Sequence, residues 1–196
     1  MQKSNHSPIP LTSTTAQHPA DPPTRHVDAP PPTSALPRRE ELVAGLNQDL
    51  AREYQAIISY VIYSQVLRGA EFMNIAAELK KHAAEELQHA LIVANQIDYL
   101  GGTPATEPQP VRTSTEARAM LEFDLENETE TIRQYRARVL QCEALGEYAT
   151  GEHIREILVQ EQDHLIALAT ALGRPAPAIA QEPAPPAHRF PKPVAV

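Results

Sequence analysis

Glu86-Leu87-Gln88-His89 lies in the middle of a Pro-free, helix-forming stretch from Glu71 to Leu100, and its reading decides the fold. Residues three apart on an α-helix share a face, so the carboxylate and the imidazole of this tetrad point the same way. Through the same stretch Ile75, Leu79, His82, Glu86, His89, Val93, Ile97 and Leu100 form one stripe at helical spacing. Both polar groups therefore belong to the apolar seam and not to the wet side. An ionisable pair in that position needs partners, because an uncompensated charge is costly to bury.

The partners emerge from an internal repeat. Glu161-Gln162-Asp163-His164 restates the tetrad in its own seam of Ile154, Ile157, Glu161, His164 and Leu168. Counting back 33 residues from Glu86 reaches Glu53, in the stripe Leu46, Leu50, Glu53, Ile57, Tyr60; counting back 33 from Glu161 reaches Glu128, in Leu121, Leu125, Glu128, Ile132, Tyr135. Four helices would thus aim four carboxylates and two imidazoles into one core, the ligand set of a two-metal carboxylate bundle.

A single Glu-x-x-His is weak evidence, since Glu-rich helices produce it as a solvent-facing ion pair. Two copies, equal offsets to a seam Glu, and apolar neighbours around every candidate together favour a metal site over a structural polar network. Without cations the clustered carboxylates would repel one another and their pKa values would rise; divalent cations remove that cost. Oxygen-rich ligands with one imidazole per metal suit iron or manganese better than zinc. Six ligands for two ions leave coordination positions open, which on a redox metal means oxygen chemistry.

Composition bounds the remainder. The 196 residues carry a net charge of -8, with 7 Gly, 19 Pro, no Trp and a single cysteine. Ala, Leu, Glu and Gln dominate the middle and no period-2 apolar run appears, so the folded part reads as all-α. The acidic balance argues against a nucleic-acid partner held through phosphates. No apolar run approaches the roughly 18 to 20 residues of a spanning helix, and no apolar segment follows Lys3 as a secretory leader would require, so no membrane partner is expected and the cytoplasm is the expected compartment. Cys142 rules out an intrachain disulfide, and its seam position reads as a small buried hydrophobe.

Taken in order, residues 1–37 are rich in Pro, Ser and Thr and read as a disordered tail in which His6, His18 and His26 are not ligands. Residues 38–173 form the bundle and 174–196 a second Pro-rich tail. Pro37 and the acids Glu40 and Glu41 mark the start of a helix from about 38 to 67. Gly69 permits a reversal into a second helix over about 71–100. The connection from Gly101 to Arg112, roughly 40 Å when extended, matches the length of a 28-residue helix and predicts one long crossover along the bundle. Thr113 and Glu116 suggest a capping box for a third helix over about 114–145, and Gly151 the start of a fourth over about 151–172.

Over about residues 40–172 the chain resembles the bacterioferritin branch of the ferritin-like superfamily. The matching motifs are Glu53 with Tyr60, Glu86-Leu87-Gln88-His89 with Ala90, Met120-Leu121 with Asp124-Leu125 ahead of Glu128, and Ile157-Leu158 ahead of Glu161. The resemblance implies a ferritin-like four-helix bundle whose long crossover joins its second and third helices. It also implies a ferroxidase that oxidises Fe(II) with O2 or H2O2 in iron storage or detoxification. By the same likeness Glu53 and His89 would hold one iron, Glu128 and His164 the other, Glu86 and Glu161 would bridge, and Tyr60 would relay an electron or radical. A homo-oligomer, at least a dimer, is expected.

Leu87 stands where bacterioferritins carry their haem-ligating Met, so haem is not expected. A Pro-rich tail stands where they carry a fifth helix, which leaves the hollow shell open. His82, one turn before Glu86, is either an additional ligand or a hydrogen-bonded core residue. The alternative functions are a di-iron or di-manganese peroxidase or catalase, and a ferritin-like cargo docked by its tails to a protein nanocompartment.

Overall fold

Helix α1, Arg39–Val66, opens with the Glu41 carboxylate accepting the Arg38 N–H at 3.2 Å, and Glu40 and Glu41 occupy its first turn. These acids meet the positive end of the helix dipole, as the sequence suggests. The computed structural model describes residues 38–180; the expectations for 1–37 and 181–196 lie outside the described residues. Gly69, at φ 119°, adopts a conformation that side chains rarely allow and turns the chain into a 3-10 segment, Ala70–Phe72. Helix α2, Met73–Tyr99, follows.

Helices α3, Ala117–Leu145, and α4, Tyr148–Ala171, complete the bundle, and no strand occurs among the described residues. Two starts differ from the expected ones. At α3 the Thr113 capping box does not form: the N-cap is Glu116, and Ser114 Oγ accepts the Glu116 N–H at 3.0 Å, closing a local turn that competes with helix. Helix α4 begins at Tyr148, so Gly151 sits inside it, where a Cβ would come within 3.3 Å of the Cys142 Cβ on α3. That glycine serves close helix packing instead of a helix start.

The direction of α3 follows from side chains that cross between helices. Tyr60 on α1 bonds Glu128 on α3, Tyr135 bonds Glu53, and Arg138 reaches Asp49 at 2.9 Å. Rising numbers on one helix meet falling numbers on the other, so α1 and α3 are antiparallel and α2 and α3 are parallel. The crossover achieves this by running beside α1. Ala105 N donates to Asn47 Oδ1 at 2.6 Å, Gln109 N to the Ala51 carbonyl at 2.8 Å, and Tyr63 OH to the Arg112 carbonyl. The predicted long connection is therefore tied down along most of its length.

Two apolar clusters fill the interior. Tyr60, Leu79, Leu121 and Leu168 belong to one; Leu46, Leu50, Val93, Ile97, Tyr135, Cys142 and Ile154 belong to the other. Apart from Ile57, which is half-buried, every residue of the four predicted seams is buried. Beyond α4, residues assigned to the tail by sequence continue in contact: Ile179 packs on the first cluster and its carbonyl accepts from Arg136 at 3.2 Å.

Candidate metal centre

The six residues singled out by the repeat converge. Glu53, Glu86, Glu128, Glu161, His89 and His164 are each at most 2 % exposed. They fall into two groups, Glu53, Glu86, His89, Glu161 and Glu86, Glu128, Glu161, His164, with one donor atom per residue and all atoms of a group within 4.8 Å of one another. Each group draws a terminal Glu from α1 or α3 and a His from α2 or α4. Glu86 and Glu161 are common to both.

Histidine orientation is the same in both groups. His89 Nδ1 stands 3.0 Å from Glu161, 3.1 Å from Glu86 and 3.5 Å from Glu53, while its Nε2 lies 2.7 Å from Gln160 Oε1. His164 Nδ1 stands 2.9 Å from Glu86 Oε1, while its Nε2–H donates to Glu85 at 2.8 Å. An acceptor on Nε2 keeps the proton there and leaves the Nδ1 lone pair free to face a cation. One ring nitrogen carries only one hydrogen, so it cannot satisfy three carboxylates. Glu53 Oε2, Glu86 Oε1, Glu128 Oε2, both Glu161 oxygens and His164 Nδ1 accordingly make no hydrogen bond. Buried orphaned atoms of ligand type, all in one cluster, are what a cation site requires.

Electrostatics point the same way. Burial raises the carboxyls of Glu53, Glu86, Glu128 and Glu161, and a neighbouring carboxylate in the cluster raises each further. For His164, burial works downward, but Glu86 and Glu128 outweigh it and bring the imidazole up to about 9. For His89, burial is likewise overcome, by Glu161, Glu53 and Glu86, and the shift is strongly upward. Divalent cations among these carboxylates would relieve the repulsion that drives the upward shifts.

Tyr60 donates its hydroxyl to Glu128 and Tyr135 donates its own to Glu53. Burial, then the carboxylate each faces, raises both phenols well above their ordinary range, so they remain donors. Sequence reading singled out Tyr60 but gave Tyr135 only a seam position, although it follows Glu128 by the same seven residues. It also missed Glu85 and Gln160, each directly before the Glu of a tetrad. His82 is buried beside the centre, its ring stacked on His164 at 4.0 Å, and burial followed by His164 lowers it to about 4. An outer groove of about 450 Å³ lined by Leu158, Ile166 and Pro177 contains none of these residues.

The sequence signature of the ferritin-like domain family matches residues 43–175. This chain belongs to that family. Among curated relatives, the bacterioferritin of Desulfovibrio desulfuricans is 30% identical over 129 residues, covering 65% of this chain and 72% of that protein. The bacterioferritin of Brucella melitensis is 26% identical over 133 residues, covering 67% and 83%. Among solved structures, a ferritin-like diiron-carboxylate protein from Bacillus anthracis superposes with a TM-score of 0.66 at 34% identity, over 68% of this chain and 96% of that one. A dodecameric thioferritin of Bacteroides fragilis, described as bacterioferritin-related, superposes with a TM-score of 0.65 at 24% identity over 70% and 88%, a likeness of fold. The chain is thus a bacterioferritin-like member of the ferritin superfamily, and its family ties are to iron storage and ferroxidase-type proteins.

Proposed function

We propose that the chain is a non-haem di-iron ferroxidase that oxidises Fe(II) with O2 or H2O2 in iron storage or detoxification. The observation that carries this reading is the pair of carboxylate–histidine groups that share Glu86 and Glu161. Glu53 and His89 would complete one iron position and Glu128 and His164 the other, with the shared pair bridging. The donor set suits the group: it is mostly carboxylate oxygen, with one imidazole for each ion, which fits iron and also manganese. Two Fe(II) bound side by side supply the two electrons that convert O2 and two protons to H2O2, or H2O2 and two protons to water. The chain itself contributes orientation and charge. Gln160 and Glu85 hold the imidazole tautomers, Tyr135 and Tyr60 hold Glu53 and Glu128, and the apolar clusters above and below restrict water. Tyr60 is the proposed electron or radical relay.

A homo-oligomer, at least a dimer, belongs to the same reading. Ile58, Val61 and Ile62 on α1 and Leu87 and Leu91 on α2 are exposed, and these helices are adjacent. Such apolar surface suits a second copy related by a two-fold axis. No described helix is long and apolar enough to cross a membrane, and a cytoplasmic setting is proposed. The test is anaerobic loading with Fe(II) followed by stopped-flow mixing with O2 or H2O2. Oxidation should saturate at two Fe(II) per chain, and a rate no faster than in buffer would sink the proposal.

A further inference from the structure

The two halves of the centre correspond at an interval of 75 residues: Glu53 with Glu128, Tyr60 with Tyr135, Glu86 with Glu161, and His89 with His164. Their immediate surroundings do not correspond in charge. The Nε2–H of His164 is held by the carboxylate of Glu85, whereas Nε2 of His89 faces the neutral amide of Gln160, at the matching position. Four residues before Glu53, Asp49 is neutralised by the buried guanidinium of Arg138 at 2.9 Å; four residues before Glu128, the matching Asp124 is 2 % exposed, and its Oδ2 has no partner. The position matching Arg138 is Tyr63, which spends its hydroxyl on the Arg112 carbonyl. His82 stacks on His164, and the residue matching it in the other half is Ile157.

The two carboxylate differences fall on the same side. The half that contains Glu128 and His164 carries two carboxylates, Glu85 and Asp124, where the other half presents an amide and a compensated aspartate. A carboxylate on the far nitrogen of an imidazole makes the near nitrogen a stronger donor than an amide does. The Asp124 carboxyl, one helical turn from Glu128, can ionise to balance a cation bound beside it in a dry interior, where charge interactions are little screened.

We infer that the two metal positions are unequal: the one formed with Glu128 and His164 takes the first divalent cation, and Glu85 and Asp124 are the positioning residues that set this order. The inference rests on the two-metal reading above. Glu85 is 45 % exposed in its side chain. Its influence therefore comes through the direct 2.8 Å contact, which solvent does not interrupt. Binding one ion before the other also concentrates the singly loaded state in one arrangement, whereas a symmetric pair of sites would divide it between two.

Anaerobic titration of the full-length protein with Co(II) alone tests the order, followed by calorimetry and by visible absorption of the bound ion. The wild type should bind two Co(II) in two resolved steps. Replacing Glu85 with Gln should weaken the first step by roughly 10- to 100-fold and leave the second within about threefold, the range typical of lost outer partners to a metal-bound histidine. Asp124→Asn should weaken the same step. Gln160→Glu should instead strengthen the second step and draw the two together, which gives a gain-of-affinity readout that a damaged fold cannot mimic. Two equal steps in the wild type, or a Glu85→Gln protein that keeps its first step and loses its second, would overturn the order. A wild type that binds no Co(II) in the centre would remove the two-metal reading, and the order with it.

Discussion

Glu86 and Glu161, one on each Glu-x-x-His helix, belong to both carboxylate–histidine groups, whereas Glu53 and Glu128 belong to one each. Replacing either shared residue with Ala should abolish two-ion binding and iron oxidation, while Glu53→Ala or Glu128→Ala should leave a single ion. Metal content after anaerobic loading distinguishes the outcomes, and a wild-type oxidation rate in Glu86→Ala or Glu161→Ala would refute the assignment. Helix content should survive, because the apolar seams set the fold. The metal-free variants should melt no lower than the wild type, since each loses a carboxyl that burial penalises.

The metal-free protein should lose stability as pH rises from about 5 to 8, against the usual trend. The carboxyls of Glu53, Glu86, Glu128, Glu161 and Asp124 are all raised in the folded state. The folded protein therefore binds more protons than the unfolded chain above the ordinary carboxylate range, and stability falls there as pH increases. The imidazoles of His164, raised to about 9, and His89, also raised, extend the fall above the ordinary histidine value. His82, lowered to about 4, acts oppositely between about 4 and 6.5 but is one group against several. Melting curves at pH 5 and pH 8 check this, and added divalent metal should raise the melting temperature more at pH 8.

Arg138→Met should destabilise the fold by about 3–5 kcal/mol, because it leaves Asp49 buried and unpaired. The guanidinium is nearly buried and lies against Gly45, where a Cβ would come within 2.3 Å of Arg138 Cζ. Gly45→Ala should therefore disturb the same pair. Chemical denaturation of both variants measures the losses, and an Asp49→Asn, Arg138→Met double variant should recover part of the deficit.

Tyr60→Phe and Tyr135→Phe each remove one donor from a terminal carboxylate. If Tyr60 relays electrons, its loss slows iron oxidation more than the loss of Tyr135 does, with ion stoichiometry kept in both. Equal slowing would reduce Tyr60 to a hydrogen-bond donor.

Purified protein reconstituted with haem should show no Soret band from tight binding. Leu87 is half exposed on the outer face of α2 and offers no axial ligand, and Leu87→Met would be needed to create one.

The four seams and the six central residues were legible in the sequence because a helix buries one stripe, and an ionisable residue inside the stripe is conspicuous. Leu79, His82, Glu86, His89 and Val93 read as a line and are buried as one. Glu85 and Gln160 were not legible. Each lies one position off its seam, where helical spacing suggests solvent, and only the approach of the opposite helix turns them into partners of His164 and His89. The same holds for Arg138, whose charge finds Asp49 across 89 positions of chain. Helix starts were less legible than helix interiors. Gly151 reads locally as a boundary, but its role is set by Cys142 on a neighbouring helix.

Cys142 is wholly enclosed between α3 and the rest of the second apolar cluster, and it is the only cysteine in the chain. Burial, followed by the nearby Glu147 carboxylate, raises its thiol to about 11, so the reactive thiolate is scarce at neutral pH. The single thiol is thereby kept off the oxidation ladder while the helices stay closed. The sulfur becomes exposed when α3 and α4 part, and the rate at which it takes up an alkylating reagent gives a label-based clock for the opening of the bundle.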